Sequence, residues 1–214
     1  MGLLSRDTTL RRDVCPITYA GLMARWQPGA TQRLVIAAVD LFTEQGYDAT
    51  TVAQIAERAG VTKSTFFRHF SDKRELLVAG QETLSRLLAD GITEAPAGAS
   101  PLEAVAAGLE RASSAMGPTN RELGPRLKAA VAASTELQER DALKSVGMAA
   151  AMTAALVARG FPAPTAHLAG ELGVLAFKRG YAQWSDTDRD ADDQLSSYTL
   201  SALDELRTAS TSLG

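Results

Sequence analysis

Residues Arg33 to Leu77 read RLVIAAVDLFTEQGYDATTVAQIAERAGVTKSTFFRHFSDKRELL, and their punctuation divides them into consecutive helices. Leu34, Ala38, Leu41 and Phe42 share one face of a first helix that Thr31 can cap and Gly46 can stop. Thr51 followed three residues later by Gln54 has the form of a capping box. Behind it Val52, Ile55 and Ala56 give a short apolar stripe that ends at Gly60. Thr62 can cap a very short third helix through His69, and Asp72 with Glu75 repeats the capping pattern before a longer fourth. Four helices are thus expected to fill residues 31 to 91. Alternating valine-rich runs are missing, so the fold class is all-α.

A short helix, a tight turn and a second short helix form the unit that enters the major groove of DNA. The spacing suits it: Ala56 lets the helices approach, Gly60 permits the turn and Val61 can bury itself beneath it. The outer face from Thr62 to Phe67 is then held rigid, and Thr62, Lys63, Ser64 and Thr65 supply hydrogen-bonding groups for base edges or phosphates. Lys63, Arg68, Lys73 and Arg74 outnumber Asp72 and Glu75 there, with His69 among them. By charge alone a solvated helix face is the better reading, and an ordinary three-helix core shows the same pattern.

The longer string decides between them. Phe42 to Thr51 (FTEQGYDATT), Ile55-Ala56 before Gly60-Val61, and Phe66-Phe67-Arg68-His69-Phe70 followed by Lys73 closely resemble the N-terminal DNA-binding domain of the tetracycline-repressor (TetR) family. Tyr181-Ala182-Gln183-Trp184, ahead of an acidic turn and a last amphipathic helix, resembles the family's C-terminal part. The resemblance implies that the third helix reads the groove through Thr62, Lys63, Ser64 and Thr65. It places Phe67 where many members have a phosphate-touching tyrosine, so a polar contact is lost while an aromatic remains to lie against sugar. His69 and Lys73 match phosphate-contacting positions, Thr51 can donate to a phosphate, and Gln54 joins it in the same interface. Phe66 and Phe70 read as packing, and His69 has a second reading as a structural histidine.

The remaining chain completes the domain plan. With 214 residues, 45% of them apolar and 22% charged, it is long enough for one large domain or two small ones and too apolar for wholesale disorder. Three segments are expected: an arm or extension over 1–30, a helix-turn-helix domain over 31–77, and a helical ligand-binding and dimerisation domain over 78–214. The net charge of −3 is uneven: residues 1–30 carry four basic and two acidic side chains, 31–80 six of each, and 81–214 twelve basic and seventeen acidic. Breaks at Ala95 to Pro101, Gly117-Pro118, Gly160 to Pro164 and Ser185 to Asp190 leave further helices near 120–132, 135–159, 164–184 and 190–210. The total comes to about nine.

In the C-terminal part Leu84, Leu88, Val105, Leu109, Met116, Met148 and Met152 are candidates to line an apolar effector cavity, against the plainer reading that they are core. The fourth helix, touching the recognition helix through Leu76 and Leu77, would carry the effector's signal. Gly170, Gly173 and Gly180 inside one helix, with a stripe of Leu195, Tyr198, Ala202 and Leu206 on the next, point to a homodimer through the last two helices. The partners expected are a double-stranded DNA operator, palindromic to match that symmetry, and a small-molecule effector of unknown identity.

Enzymatic chemistry finds few candidates. His69 and His167 with the lone Cys15 make neither a metal cage nor a Cys/His pair, and Asp186, Asp188, Asp190, Asp192 and Asp193 lack the register of a calcium loop. No metal and no cofactor are expected. The longest uncharged run, Ser145 to Ala158, has 14 residues, short of a membrane span. A cytoplasmic protein follows, with a helical small-molecule binder lacking DNA activity as the alternative. Arg6, Arg11, Arg12 and Arg25 could form a minor-groove arm, while Met23 offers an alternative start that would make residues 1–22 an extension.

Overall fold

The computed structural model describes residues 29–187 and 194–212. Among them are nine α-helices and one 3-10 turn, with no strand. The arginine arm, Met23, Cys15 and the carboxylates of Asp188, Asp190, Asp192 and Asp193 lie outside the described residues. The head contains α1 (Ala30–Gln45), α2 (Val52–Arg58), α3 (Lys63–His69) and the 3-10 turn Lys73–Val78. The body contains α4 (Gln81–Glu94), α5 (Pro101–Ser114), α6 (Pro118–Ala132), α7 (Thr135–Ala158), α8 (Ala163–Asp186) and α9 (Leu195–Thr211).

Two helix starts differ from the sequence reading. Thr31 does not cap α1, which begins at Ala30 behind Gly29 with no side-chain cap; the Thr31 hydroxyl instead meets His69 Nδ1 at 3.2 Å. The expected fourth helix is split. Asp72 caps as predicted, accepting from Arg74 N (2.8 Å) and Glu75 N (3.2 Å), but the turn it starts is 3-10 and stops at Val78. Gly80 then takes φ +78°, a left-handed conformation that reorients the chain before α4 begins at Gln81.

Two apolar cores result. The head core gathers Leu34, Ala38, Phe42, Ile55, Phe66 and Leu76, all buried, and it also takes in Ala130 from α6 and Leu137 from α7. The body core is built on Leu88, Val105, Leu109, Met152 and Leu156. Side chains of this kind contribute roughly 1.5–3 kcal/mol each when buried, which holds short helices such as α2 and α3 that are marginal by themselves. Close backbone approach tightens the body. A Cβ on Gly91 of α4 would stand 2.6 Å from the Ala107 carbonyl oxygen of α5, and one on Gly108 would stand 2.6 Å from that of Leu88. Arg159 closes the far end of α4 by donating to the carbonyls of Ile92, Thr93, Ala95 and Pro96.

The helical glycines of α8 answer to the chain's own neighbours. Gly170 faces Thr153 and Ala149 of α7, Gly173 faces Val105 and Met152, and a Cβ on Gly180 would lie 2.6 Å from the Thr199 backbone of α9. The close approach that their propensity cost implied is therefore intramolecular. In the same way Leu195 and Ala202 are buried in the body core, and Tyr198 and Leu206 pack against it. Within the subunit the stripe expected at the dimer thus packs on the body core, with Tyr198 and Leu206 left part-exposed. α7 alone among the described helices is long and apolar enough, by length and composition, to cross a membrane.

Candidate nucleic-acid interface

The local code that presents α3 is visible bond by bond. Thr51 accepts from Gln54 N (3.3 Å) while Gln54 Oε1 accepts from Thr51 N (2.9 Å), so the capping box fixes the start of α2. At its end Gly60 adopts φ +66°, Val61 N donates to the Ala56 carbonyl (2.9 Å), and the chain turns sharply into α3. Thr62 caps α3 by accepting from Thr65 N (3.1 Å). Arg33 Nε holds the end of α2 by donating to the Ala59 carbonyl (3.1 Å).

Seven residues of α3 then divide cleanly by burial. Phe66 is 0% exposed and Phe70 is buried with it, whereas Phe67 is 56% exposed, edge-on to Phe66 with ring centroids 5.3 Å apart. Lys63, Ser64, Arg68 and His69 are exposed alongside Phe67. Thr65 is half-buried, and its hydroxyl is shared with Thr62 (3.0 Å) and with Arg68, which donates to it at 3.2 Å. The outward groups are therefore cationic, hydroxylic and aromatic, the combination that serves base edges, phosphates and sugars. Arg68 belongs to this face although the sequence reading left it out of the site. Its signal was the spacing of four from Ser64, which stacks the two on one side of a helix.

The other predicted residues fall into two groups. Thr51 and Gln54 are exposed at the start of α2, with their side chains engaged in the capping box and Gln54 also accepting from Gln45 (3.4 Å). His69 sits at the end of α3, tied to the start of α1 through Thr31. Lys73 has a role the sequence did not disclose. Its ammonium donates to the carbonyls of Tyr47 (2.7 Å) and Thr50 (3.1 Å) and lies 3.9 Å from the Tyr47 ring centroid, so it clamps the turn that launches α2. Tyr47 is buried, and this, with the nearby Glu136 carboxylate of α7, pushes its hydroxyl far above the ordinary tyrosine range. Glu44 and Arg58 close the outside of the head as a two-bond pair (2.8 and 2.9 Å) that holds the Glu44 carboxyl below its usual range.

Residues 34–79 match the family described as bacterial regulatory proteins of the tetR family. The head is a tetR-family helix-turn-helix domain. Among relatives, the chain is 38% identical over 85 residues to the HTH-type transcriptional regulator TcmR of Streptomyces glaucescens, covering 40% of this chain and 38% of TcmR. It is 40% identical over 63 residues to the HTH-type transcriptional activator FasR of Mycolicibacterium smegmatis, covering 29% of each. The chain thus spans well under half the length of these curated relatives, which are named as regulators and not as enzymes. The likeness in fold extends further: a TetR-family regulator from Syntrophomonas wolfei superposes with a TM-score of 0.56 at 17% identity, covering 85% of this chain and 95% of that one. FadR of Bacillus subtilis, solved with stearoyl-CoA, gives 0.53 at 20% identity, covering 81% and 96%.

The seven ligand candidates occupy one region of the body. Leu84, Leu88, Val105, Leu109, Met148 and Met152 are buried and packed together, and Met116, half-buried past the end of α5, packs against them. An open groove of about 360 Å³ lies elsewhere, where Leu102 and Ala106 of α5 face Leu200 and Leu203 of α9, with Glu103 and Arg207 beside them. None of the seven lines it.

Proposed function

We propose that this chain is a transcriptional repressor that holds a palindromic DNA operator as a homodimer and releases it when a small, largely apolar molecule binds the body. In this reading residues 31–77 contact DNA, residues from 78 onward bind the effector and the second subunit, and the protein acts in the cytoplasm. The observation that carries it is the division of α3: Phe66 anchors the helix completely while Lys63, Ser64, Phe67 and Arg68 stand outside on a capped, rigid support. Within the fold, Phe67 meets Phe66 edge-on and Arg68 donates to Thr65, which leaves most of that surface outward. It offers a base-reading cation, a hydroxyl and an apolar ring able to meet a thymine methyl group or a sugar.

The effector enters through the six buried candidates and Met116, a methionine-containing cluster of the kind that repacks around irregular ligands. The stearoyl-CoA held by the B. subtilis neighbour makes a long-chain acyl thioester a reasonable first probe. The test is fluorescence anisotropy on duplexes selected from random DNA, with and without stearoyl-CoA. Wild-type protein should retain one palindromic sequence. Lys63→Ala should lose roughly 5- to 150-fold of its preference for that sequence, the loss of one specific base contact, while keeping its salt dependence. Equal binding to every duplex by the wild type, or unchanged discrimination by Lys63→Ala, would overturn the reading.

A further inference from the structure

α7 changes character where it leaves the head. Leu137 is buried in the head core, Met148 and Met152 in the body core, and Lys144 stands on the same side of the helix between them, seven residues after Leu137 and four before Met148. Its neighbours on the two flanks of α7 fix which way it faces. Gly147 meets α4, where a Cβ would stand 2.5 Å from Gln81 Nε2, and Asp141 and Ser145 meet α8, where Lys178 donates to both (2.7 and 3.3 Å). Lys144 falls between these flanks on the inward side and is half-buried. The charges around it are matched without it. Asp141 pairs with Lys178, Arg140 with Glu75 (3.7 Å) and Arg74 with Asp72 and Glu136, whereas among the described residues Lys144 makes no hydrogen bond or ion pair. Burial holds its ammonium below the ordinary lysine range; Asp141 counters this, and Lys178 adds to it. An ammonium drawn out of water is costly unless an anion meets it.

α4 supplies the matching half. It runs parallel to α7, as Gln81 over Gly147 at one end and Arg159 on the Ile92, Thr93 and Ala95 carbonyls at the other require. From the head outward each helix therefore presents a donor followed by buried apolar residues: Gln81, Leu84 and Leu88 on α4, Lys144, Met148 and Met152 on α7. The Gln81 amide, like Lys144, makes no hydrogen bond among the described residues. We propose that the effector is an amphiphilic carboxylic acid, its carboxylate held by Lys144 and Gln81 at the head end of the α4–α7 seam and its alkyl chain laid along Leu84, Leu88, Met148 and Met152. The assignment rests on the effector reading above and gives that ligand a chemical class and a direction. An ammonium and an amide offer one positive charge and N–H donors for the two oxygens of a monoanion. A phosphate would bring a second negative charge beside Asp141, and a thioester has no charge at its acyl carbonyl for Lys144 to meet. Eight residues of helix, about 12 Å, separate Lys144 from Met152, so a medium alkyl chain spans the apolar stretch. The carboxylate would lie one turn from Arg140, whose pair with Glu75 ties α7 to the head.

The experiment is isothermal titration calorimetry of the full chain with octanoate, decanoate and laurate, each beside the matching alcohol. The best acid should bind roughly 10-fold or more tightly than its alcohol, and Lys144→Met, which keeps an apolar stem and removes the charge, should bring the acid down to the level of the alcohol. Gln81→Leu should weaken the acid by about 3- to 10-fold, the loss of a neutral donor. Removing an unpaired ammonium should leave the urea midpoint of Lys144→Met unchanged or raised, which separates lost binding from lost folding. Acids that bind no better than their alcohols, acids that fail to bind, or an acid preference that survives Lys144→Met overturn the assignment. Should the acids fail while stearoyl-CoA still releases operator DNA from the wild type, the repressor reading stands and the carboxylate site falls.

Discussion

Replacing Lys73 with alanine separates the two roles available to this residue. As a phosphate contact, Lys73 would matter only when DNA is present, and its loss would lower the salt slope of binding by about one ion. The observed geometry assigns it to the fold. Two hydrogen bonds from an ammonium group to the Tyr47 and Thr50 carbonyls, and the Tyr47 ring at 3.9 Å, disappear together in Lys73→Ala. A hydrogen bond to a charged group has a net value of about 1.5–3 kcal/mol, and an exposed cation–π contact adds roughly 0.5–1 kcal/mol. These terms share one ammonium and are partly hydrated, so the expected loss is about 2–3 kcal/mol rather than their sum. The Tyr47 carbonyl keeps its bond from Thr50 N (3.2 Å), which softens the effect, whereas the Thr50 carbonyl adjoins the capping box of α2 and loses its support. Urea denaturation followed by circular dichroism should show a lower midpoint with little change in slope, and operator affinity should weaken with the salt slope preserved. An unaltered urea midpoint together with a flatter salt slope would refute this assignment and restore Lys73 to the phosphate backbone.

The remaining predictions concern packing and pH. Gly91→Ala should destabilise the body by about 1–3 kcal/mol, because the new Cβ would stand 2.6 Å from the backbone oxygen of Ala107; Gly98→Ala, with nothing within 4 Å, should stay within about 0.5 kcal/mol in the same denaturation series. The Asp72 carboxyl is held below its usual range, chiefly by its hydrogen bonds with the Arg74 side chain and then with the Arg74 and Glu75 backbone N–H groups. A depressed folded pKa means stabilisation that is complete above the unfolded value near 3.9 and is lost as pH falls through the lower folded value. Asp72→Ala should therefore cost about 1 kcal/mol at pH 7, the usual value of a helix cap, and the gap from wild type should narrow in urea titrations below about pH 4.

Local rules made the head legible because each of its elements is decided by a few adjacent residues. Thr51 with Gln54, Gly60 and Thr62 mark the bounds of α2, the turn and α3, and all of them act as read. Asp72 shows where such reasoning stops. The cap is real, but only the three-dimensional seat of Leu76 in the head core explains why a tight 3-10 turn replaces the first turns of a long helix. Lys73 could be counted as basic, yet nothing in the sequence places the Tyr47 and Thr50 carbonyls beside it, 26 and 23 residues away. The glycines of α8 and the stripe of α9 were visible as helix-packing features. Periodicity states that a face is apolar without stating which neighbour covers it, and here the neighbours are α5, α7 and α9 of the same subunit. The exposed hydrophobic residues of α7 and α8 stand out only after that internal use has been subtracted.

The same subtraction changes how an effector in the body would reach the head. A single rigid fourth helix would have carried a displacement of Leu84 and Leu88 straight to Leu76 and Leu77. With Gly80 in a left-handed conformation between them, a tilt of α4 is absorbed at residues 79 and 80 before it reaches the head core. The contacts that cross without such a break come from α6 and α7. Ala130 and Leu137 are built into the head core, Arg126 of α6 pairs with Asp40 of α1, and Glu136 of α7 faces Arg74 (3.5 Å). Arg140 reaches Glu75 (3.7 Å) one turn further along α7. α7 also carries Met148 and Met152 into the predicted effector region. One helix therefore joins the head's seat to the proposed effector region. A ligand can shift operator affinity only by its difference in affinity for two arrangements of the protein. The displacement these contacts make available is a movement of α7, which would alter the head's seat on the body.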